Sequence, residues 1–268
     1  MDDSYERLKD LIRQMNGAVV AFSGGVDSTV LLAVAQEALG QRALAVTALS
    51  PTYPATELSR AKDLAKRLGA RHLVIETREF EHPVYRANPP DRCYFCKKYL
   101  LEELMDIASR EGLPFVMDGS NTDDLGDLRP GRAAATELGV RSPFVELGLG
   151  KTEIRRMAKE LGLSNWDQPS QACLASRIPY GEEITLAKLE RIARAEDVMH
   201  ELGFRQVRVR DHGTLARIEI SSDELDRALL LDMRKQIIDE CKRAGYTYVC
   251  VDLEGYRTGA MNEALTDH

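Results

Sequence analysis

The stretch that most limits what this chain can fold into is residues 16–32, Asn-Gly-Ala-Val-Val-Ala-Phe-Ser-Gly-Gly-Val-Asp-Ser-Thr-Val-Leu-Leu. The short apolar run from Ala18 to Phe22 predicts a buried parallel strand, Ser23-Gly24-Gly25 turns the chain, and Asp27 to Ala38 predicts a helix. A glycine turn between a strand and a helix N-terminus leaves backbone N–H groups pointing one way. The helix dipole adds partial positive charge there, so the place suits a phosphate. Gly24 and Gly25 are expected to permit close backbone approach and positive φ. The hydroxyls of Ser28 and Thr29 are candidate donors, and Asp27 is a candidate for a metal ion or an amine. A generic βα turn is the plain alternative, and the length of the string Ser23-Gly24-Gly25-Val26-Asp27-Ser28-Thr29 weighs against it. No lysine follows the glycines, so this is not the G-x-x-x-x-G-K-[ST] loop of kinases and GTPases.

The elements around the turn predict an α/β, Rossmann-like, doubly wound parallel sheet. An amphipathic helix over 4–15 buries Leu8, Leu11, Ile12 and Met15, strands are expected at 43–49 and 72–75, and a helix over 55–68 follows Ser50-Pro51-Thr52-Tyr53-Pro54. Such sheets bind ligands at the carboxyl ends of their strands. Residues 80–100 break the rhythm, with a helix expected over 97–110. A strand at 115–117 then ends in Asp118-Gly119-Ser120-Asn121-Thr122-Asp123-Asp124. Ser50, Gly119, Ser120 and Lys151 join the loop as nucleotide-binding candidates. Asp123 and Asp124 would either hold magnesium on the phosphates or cap the next turn. Arg129, Arg132, Arg141 and Lys151 put cations around the same edge, and Lys151 opens a helix expected over 152–161. Residues 164–183 show little periodicity. From Thr185 a smaller α+β unit is expected, with a helix over 186–202 and a hairpin of 206–210 and 216–220 turning at Asp211-His212-Gly213. A helix from 222 or 223 to 243 follows, with a break near Leu231, and a last strand runs from Tyr246 to Leu253. The expected domains are therefore 1–183 and 184–268.

With 268 residues, 44% hydrophobic and 29% charged, the chain is an ordinary globular one, and no apolar run reaches the ~20 residues that span a bilayer. The polar, acidic N-terminus does not resemble a signal peptide, so the cytoplasm is the expected location. A net charge of −7 gives no general footprint for nucleic acid. Five cysteines in a cytoplasmic chain point to metal or catalytic use of some of them. Cys241 and Cys250 fall on a helix and an apolar strand, where burial accounts for them. Cys93 and Cys96 form a C-x-x-C in a turn-like segment beside Lys97 and Lys98, and Cys173 lies in the other irregular stretch. Three thiolates offer structural zinc with a fourth ligand, or a [4Fe–4S] cluster with one open iron. In a third option Cys173 acts alone as nucleophile or sulfur donor, activated by the nearby cation of Arg177.

The loop resembles the PP-loop of ATP pyrophosphatases, which cleave ATP between its α and β phosphates. Together with Asp118-Gly119-Ser120-Asn121 and Ala172-Cys173-Leu174-Ala175-Ser176-Arg177-Ile178-Pro179-Tyr180-Gly181, it makes essentially the whole chain resemble the LarE ATP-dependent sulfur transferases. The resemblance implies that ATP adenylates a carboxylate of pyridinium-3,5-biscarboxylic acid mononucleotide. A protein sulfur then displaces AMP, on the way to the nickel-pincer nucleotide of lactate racemase. It implies ATP and magnesium as cofactors, a hexameric homo-oligomer, a possible sulfur donor protein and other enzymes of that biosynthesis as partners. In one branch the cysteine at the position of Cys173 gives up its sulfur, with Ser176 and Arg177 beside it in the motif. In the other, three cysteines hold a [4Fe–4S] cluster with an extra sulfide, and the presence of Cys93, Cys96 and Cys173 resembles that branch. The substrate is anionic, so Arg177, Arg208 and Arg210 are candidates to bind it. The last two alternate onto one strand face, with a solvated face as the alternative. Glu196 and Glu219 resemble carboxylates of the family's C-terminal domain. Competing readings are a PP-loop tRNA 2-thiolation enzyme, an adenine-nucleotide-binding module with structural zinc, and an amide-forming synthetase.

Overall fold

The computed structural model describes residues 3–53, 55–125, 130–168, 172–257 and 259–265. Pro54 and Arg129, named above, lie outside them. In chain order the elements are α1 (Asp3–Arg13), β1 (Ala18–Ala21), α2 (Val26–Leu39), β2 (Ala43–Leu49), α3 (Ala55–Arg67), β3 (Arg71–Glu76), α4 (Pro83–Arg86), α5 (Arg92–Arg110), β4 (Phe115–Met117), α6 (Pro130–Glu137), α7 (Pro143–Glu146), α8 (Lys151–Glu160), α9 (Leu186–Glu201), β5 (Val207–His212), β6 (Leu215–Ile220), α10 (Leu225–Leu229), α11 (Leu231–Ala244) and β7 (Tyr248–Val251). The chain divides into two compact units, Met1–His82 with Asp91–Gln171, and Pro83–Pro90 with Ala172–His268. The division falls at 171/172, where 183/184 is expected, and the second unit takes in the early segment 83–90 from the stretch that breaks the rhythm.

The first unit is built on a parallel sheet in the order β3-β2-β1-β4. Strands β1, β2 and β4 are apolar on both faces because helices cover both, while the edge strand β3 is half-exposed. Ala18, Val20, Phe22, Ala43, Ala45 and Met117 pack with α1, α2 and α8, while Val19, Leu44, Val46 and Val116 pack with Leu101, Leu104 and Ile107 of α5. Successive strand residues thus serve opposite cores, as the two-residue period requires. Helix α2 is buried nearly all round, with Val30, Leu31, Leu32, Val34 and Ala35 sealed, which explains its apolar sequence. The carboxyl ends of β1 and β4 therefore lie side by side on a rigid floor.

In the second unit, β5 and β6 form an antiparallel hairpin and β7 adds parallel to β6. The hairpin turns at Gly213-Thr214, later than expected, because Asp211 and His212 still pair with Ala216 and Leu215. Asp211 is fully buried, and it accepts from Arg191 and from Tyr246 Oη at 3.0 Å. The helix expected to break near Leu231 is interrupted at Leu230, whose ψ is 141°. The segment 83–90 is tied in by backbone: Asn88 O accepts from Gly181 N and Arg86 O from Ile184 N. Asn88 Nδ2 also donates to Ile178 O at 3.2 Å and to Pro179 O at 2.7 Å. No helix among the described residues is long and apolar enough to cross a membrane.

Candidate active site

The glycine loop follows β1 as expected, and Gly25 is the N-cap of α2. The two glycines differ in their reasons. Gly24 has φ +76°, and a Cβ there would meet the backbone of Ala61 at 3.1 Å, so both conformation and space demand glycine. Gly25 has φ −73°, an ordinary value, which corrects the expectation that both take positive φ. The hydroxyls expected to donate outward instead turn back on the loop. Ser28 Oγ donates to Gly25 O at 3.1 Å and Thr29 Oγ1 to the same oxygen at 2.8 Å, while Ser23 Oγ lies 3.1 Å from Ser28 Oγ. Val26 begins the helix and is buried. What the loop presents is backbone N–H groups at the head of a 14-residue helix.

Asp27 faces Lys151, whose ammonium pairs with Asp27 Oδ2. Burial pushes the Asp27 carboxyl above its usual range, against the pull of Lys151. Its other oxygen, Oδ1, is buried with no hydrogen-bond partner among the described residues. An orphaned carboxylate oxygen beside a phosphate-suited loop fits a magnesium–nucleotide, which Asp27 and Lys151 would hold. Arg155, one turn beyond Lys151 on α8, adds a cation that sequence reading missed. Its Nε is also buried and without a partner among the described residues, and its charge is felt at Asp27.

The end of β4 closes the same place. A Cβ on Gly119 would meet Ser28 N at 3.0 Å, so this glycine permits two loops to touch. Ser120 folds onto Asp118 through both its N–H and its hydroxyl, and Ser50 is buried, bonded to Thr52 and Glu79. Both aspartates make capping contacts. Asp123 Oδ2 accepts from Lys151 N at 2.6 Å and Asp124 Oδ2 from Asn121 N at 3.0 Å.

Cys93 and Cys96 do not lie in a turn: α5 starts at Arg92 and carries both in its first turns. Spaced by three, they share one face, Cys93 exposed and Cys96 half-buried. This helix start is anchored within its unit. Tyr94 Oη donates to Glu137 at 2.6 Å, Lys97 pairs with Asp118 at 2.9 Å, and a Cβ on Gly131 would touch Cys93 O at 3.2 Å. Among the described residues no group of three His, Cys, Asp or Glu side chains is placed to hold a metal ion.

In the second unit, half-buried Cys173 immediately precedes a 3-10 turn, Leu174–Arg177. Arg177 is 3% exposed and grips Glu196 with two bonds of 2.9 and 2.8 Å. Its remaining nitrogen donates to the backbone oxygens of Ala172 and Cys173 and to Ser176 Oγ. Arg177 therefore pins the cysteine turn by its backbone, with its charge committed to Glu196. Arg208 and Arg210 do share a face, but it is buried, which removes the solvated-face alternative. Arg210 holds Glu219 with two bonds of 2.9 and 2.7 Å and donates to Ser176 O at 2.7 Å. Arg208 differs. It donates to Val207 O at 2.8 Å, lies 5.2 Å from the Tyr256 ring centre, and has no carboxylate in ion-pair distance among the described residues. Burial, then the charges of Arg177 and Arg210, outweigh the pull of Glu196 and Tyr256 and hold its pKa below the usual arginine range. A buried cation without an ion partner is costly unless an anion arrives.

Comparison with known proteins agrees with this geometry. The NAD synthase family is matched over residues 3–88, the part that holds the loop. Beyond that part, an uncharacterised protein of Synechocystis sp. is 44% identical over 99% of both chains. A pyridinium-3,5-bisthiocarboxylic acid mononucleotide synthase of Lactiplantibacillus plantarum is 38% identical over 97% of this chain and 92% of its own. A GMP synthase of Aeropyrum pernix is 28% identical over 69% of this chain but only 39% of its own length, so that likeness concerns a shared part. With 38% identity along nearly the whole of both sequences, the chain belongs to the LarE family of PP-loop, ATP-using, sulfur-transferring enzymes.

Proposed function

We propose that this enzyme converts a carboxylate of pyridinium-3,5-biscarboxylic acid mononucleotide to a thiocarboxylate. The observation that carries the reading is the anion-ready loop with Lys151 and the orphaned Asp27 oxygen, in a chain similar throughout to a bisthiocarboxylate mononucleotide synthase. A carboxylate is a poor electrophile. Its oxygen attacks the α-phosphorus of ATP, the α–β bridge breaks, and pyrophosphate leaves into the loop. Magnesium, when bound, offsets the phosphate charge. The Cys173 thiolate then attacks the acyl carbon and AMP departs, leaving a thioester. Loss of the cysteine Cα proton with cleavage of Cβ–Sγ releases the thiocarboxylate and leaves dehydroalanine. Arg208 takes an anionic group of the substrate, while Arg177 and Ser176 hold the cysteine turn in shape.

A second reading keeps the adenylation and changes the sulfur source. Cys93 and Cys96 on one helix face favour it, because a sacrificial cysteine gives them no task. In that reading they join Cys173 around a [4Fe–4S] cluster carrying a sulfide. Either way the product would serve the nickel-pincer nucleotide of lactate racemase, with the chain as a homo-oligomer, hexameric by resemblance.

Anaerobic purification with iron and acid-labile sulfide counts, followed by intact mass after one turnover, tests both. Pyrophosphate and AMP release, with the mass of one hydrogen sulfide lost at Cys173, supports the first. Iron bound in wild type and lost in Cys93→Ala, Cys96→Ala and Cys173→Ala supports the second. No pyrophosphate release with ATP and this mononucleotide overturns both.

A further inference from the structure

The nucleotide loop is braced from behind by Asn165, in the irregular stretch after α8, which neither periodicity nor motif singles out. It is 5% exposed, and its Nδ2 donates to Gly24 O at 3.0 Å and to Thr29 Oγ1 at 3.1 Å. Thr29 Oγ1 passes its own proton to Gly25 O at 2.8 Å. The amide orientation is fixed by these partners. A carbonyl oxygen only accepts and the threonine proton is already spent, so the nitrogen must face both. Asn165 Oδ1 is then left buried with no partner among the described residues. Leaving one end of a buried amide unsatisfied costs on the order of what its two hydrogen bonds return, so local stability alone does not account for a feature of this kind.

The reason lies in peptide planarity. Fixing a carbonyl fixes the N–H on the far side of the same plane. Gly24 O held by Asn165 sets the direction of Gly25 N–H, which donates to Ser23 Oγ at 3.3 Å and so closes the turn in a fixed shape. Gly25 O, held by Thr29 N at 2.9 Å as well as by the Ser28 and Thr29 hydroxyls, sets Val26 N–H. The Val26 amide heads α2, where an anion gains most from the dipole. We propose that Asn165 is a positioning residue for pyrophosphate, acting through the Gly24 and Gly25 carbonyls to aim the loop's N–H groups. This rests on the reading of the loop as the pyrophosphate-holding site.

Calorimetric titration of the full chain with magnesium pyrophosphate and, separately, AMP tests it. In Asn165→Ala the pyrophosphate affinity is expected to fall about tenfold, with AMP affinity within about twofold of wild type. A merely structural role would weaken both ligands alike, and that outcome overturns the proposal. Pyrophosphate affinity unchanged in the variant while wild type binds overturns it too. Wild type that binds no pyrophosphate overturns the loop reading itself. Should Asn165→Ala not fold, the pair Thr29→Ser and Thr29→Val decides instead. Serine keeps the hydroxyl relay and the affinity, valine keeps the shape and loses affinity, and equal affinities count against the proposal.

Discussion

Lys97 Nζ lies 2.9 Å from Asp118 Oδ2, joining the cysteine-bearing start of α5 to the end of β4 beside the glycine loop. Asp118 is almost sealed, and Ser142 Oγ and Ser120 N also donate to it. Burial raises its pKa, but the charge and hydrogen bonds of Lys97 and the serines outweigh this and hold the carboxyl below its usual range. The stability it contributes is therefore present above the unfolded value of about 3.9 and lost as pH falls through the folded one. Lys97→Met is expected to cost about 1–3 kcal/mol at neutral pH and to move acid unfolding upward in pH. Urea titrations across pH read both, and an unshifted acid limb would contradict the assignment.

Glu196, on α9, is tied to two other elements of the second unit, accepting from Arg177 twice and from Val209 N at 2.9 Å. Glu196→Gln removes the countercharge of a buried guanidinium, so a loss of about 3 kcal/mol is expected. Because Arg177 holds the backbone before Cys173, that turn should also loosen. Peptide mapping after brief iodoacetamide exposure is expected to show faster labelling of Cys173 in the variant.

For Arg208 the expectation runs the opposite way for folding and for function. Arg208→Met removes a buried cation that lacks an ion partner, so the thermal midpoint is expected to hold or rise. Its KM for the mononucleotide should rise at least about tenfold, with KM for ATP unchanged. A variant that loses stability and keeps its substrate affinity would assign Arg208 to the core.

Lys151→Met is expected to slow pyrophosphate release by about a hundredfold, because the proposed function sets its cation against the departing phosphates. Binding is readable without activity. Trp166 is the single tryptophan, follows Asn165, and lies 5.1 Å beneath the Lys159 ammonium. Its emission is expected to change on adding magnesium pyrophosphate to wild type and to respond only at higher concentration in Lys151→Met.

What the sequence made legible follows from period and turn chemistry. Short apolar runs located the strands of the first unit, alternation located the hairpin of the second, and Ser23 to Thr29 located the loop, because a strand–glycine–helix junction has few other forms. The start of α5 was hidden because Asn88-Pro89-Pro90-Asp91 signals a turn, and Cys93, Tyr94, Phe95 and Cys96 carry little helix propensity. The face shared by Arg208 and Arg210 was readable, but its burial was not. That depends on Glu219 across the hairpin and on Tyr256 far along the chain. Asn165 left no mark, since a single amide in an aperiodic stretch acquires its meaning only from the carbonyls placed against it.

The early segment 83–90 has a consequence for how this chain is assembled and inherited. Asn88 bonds to Pro179, 91 positions later, across about half of the first unit's sequence. A ribosome has delivered the whole parallel sheet before that partner exists, so the second unit closes last and over a long loop. Cutting at the 171/172 division would strip the second unit of part of its own wall. The two units cannot be shuffled as beads on a string, and a gene fusion or truncation at that point is expected to lose the C-terminal fold.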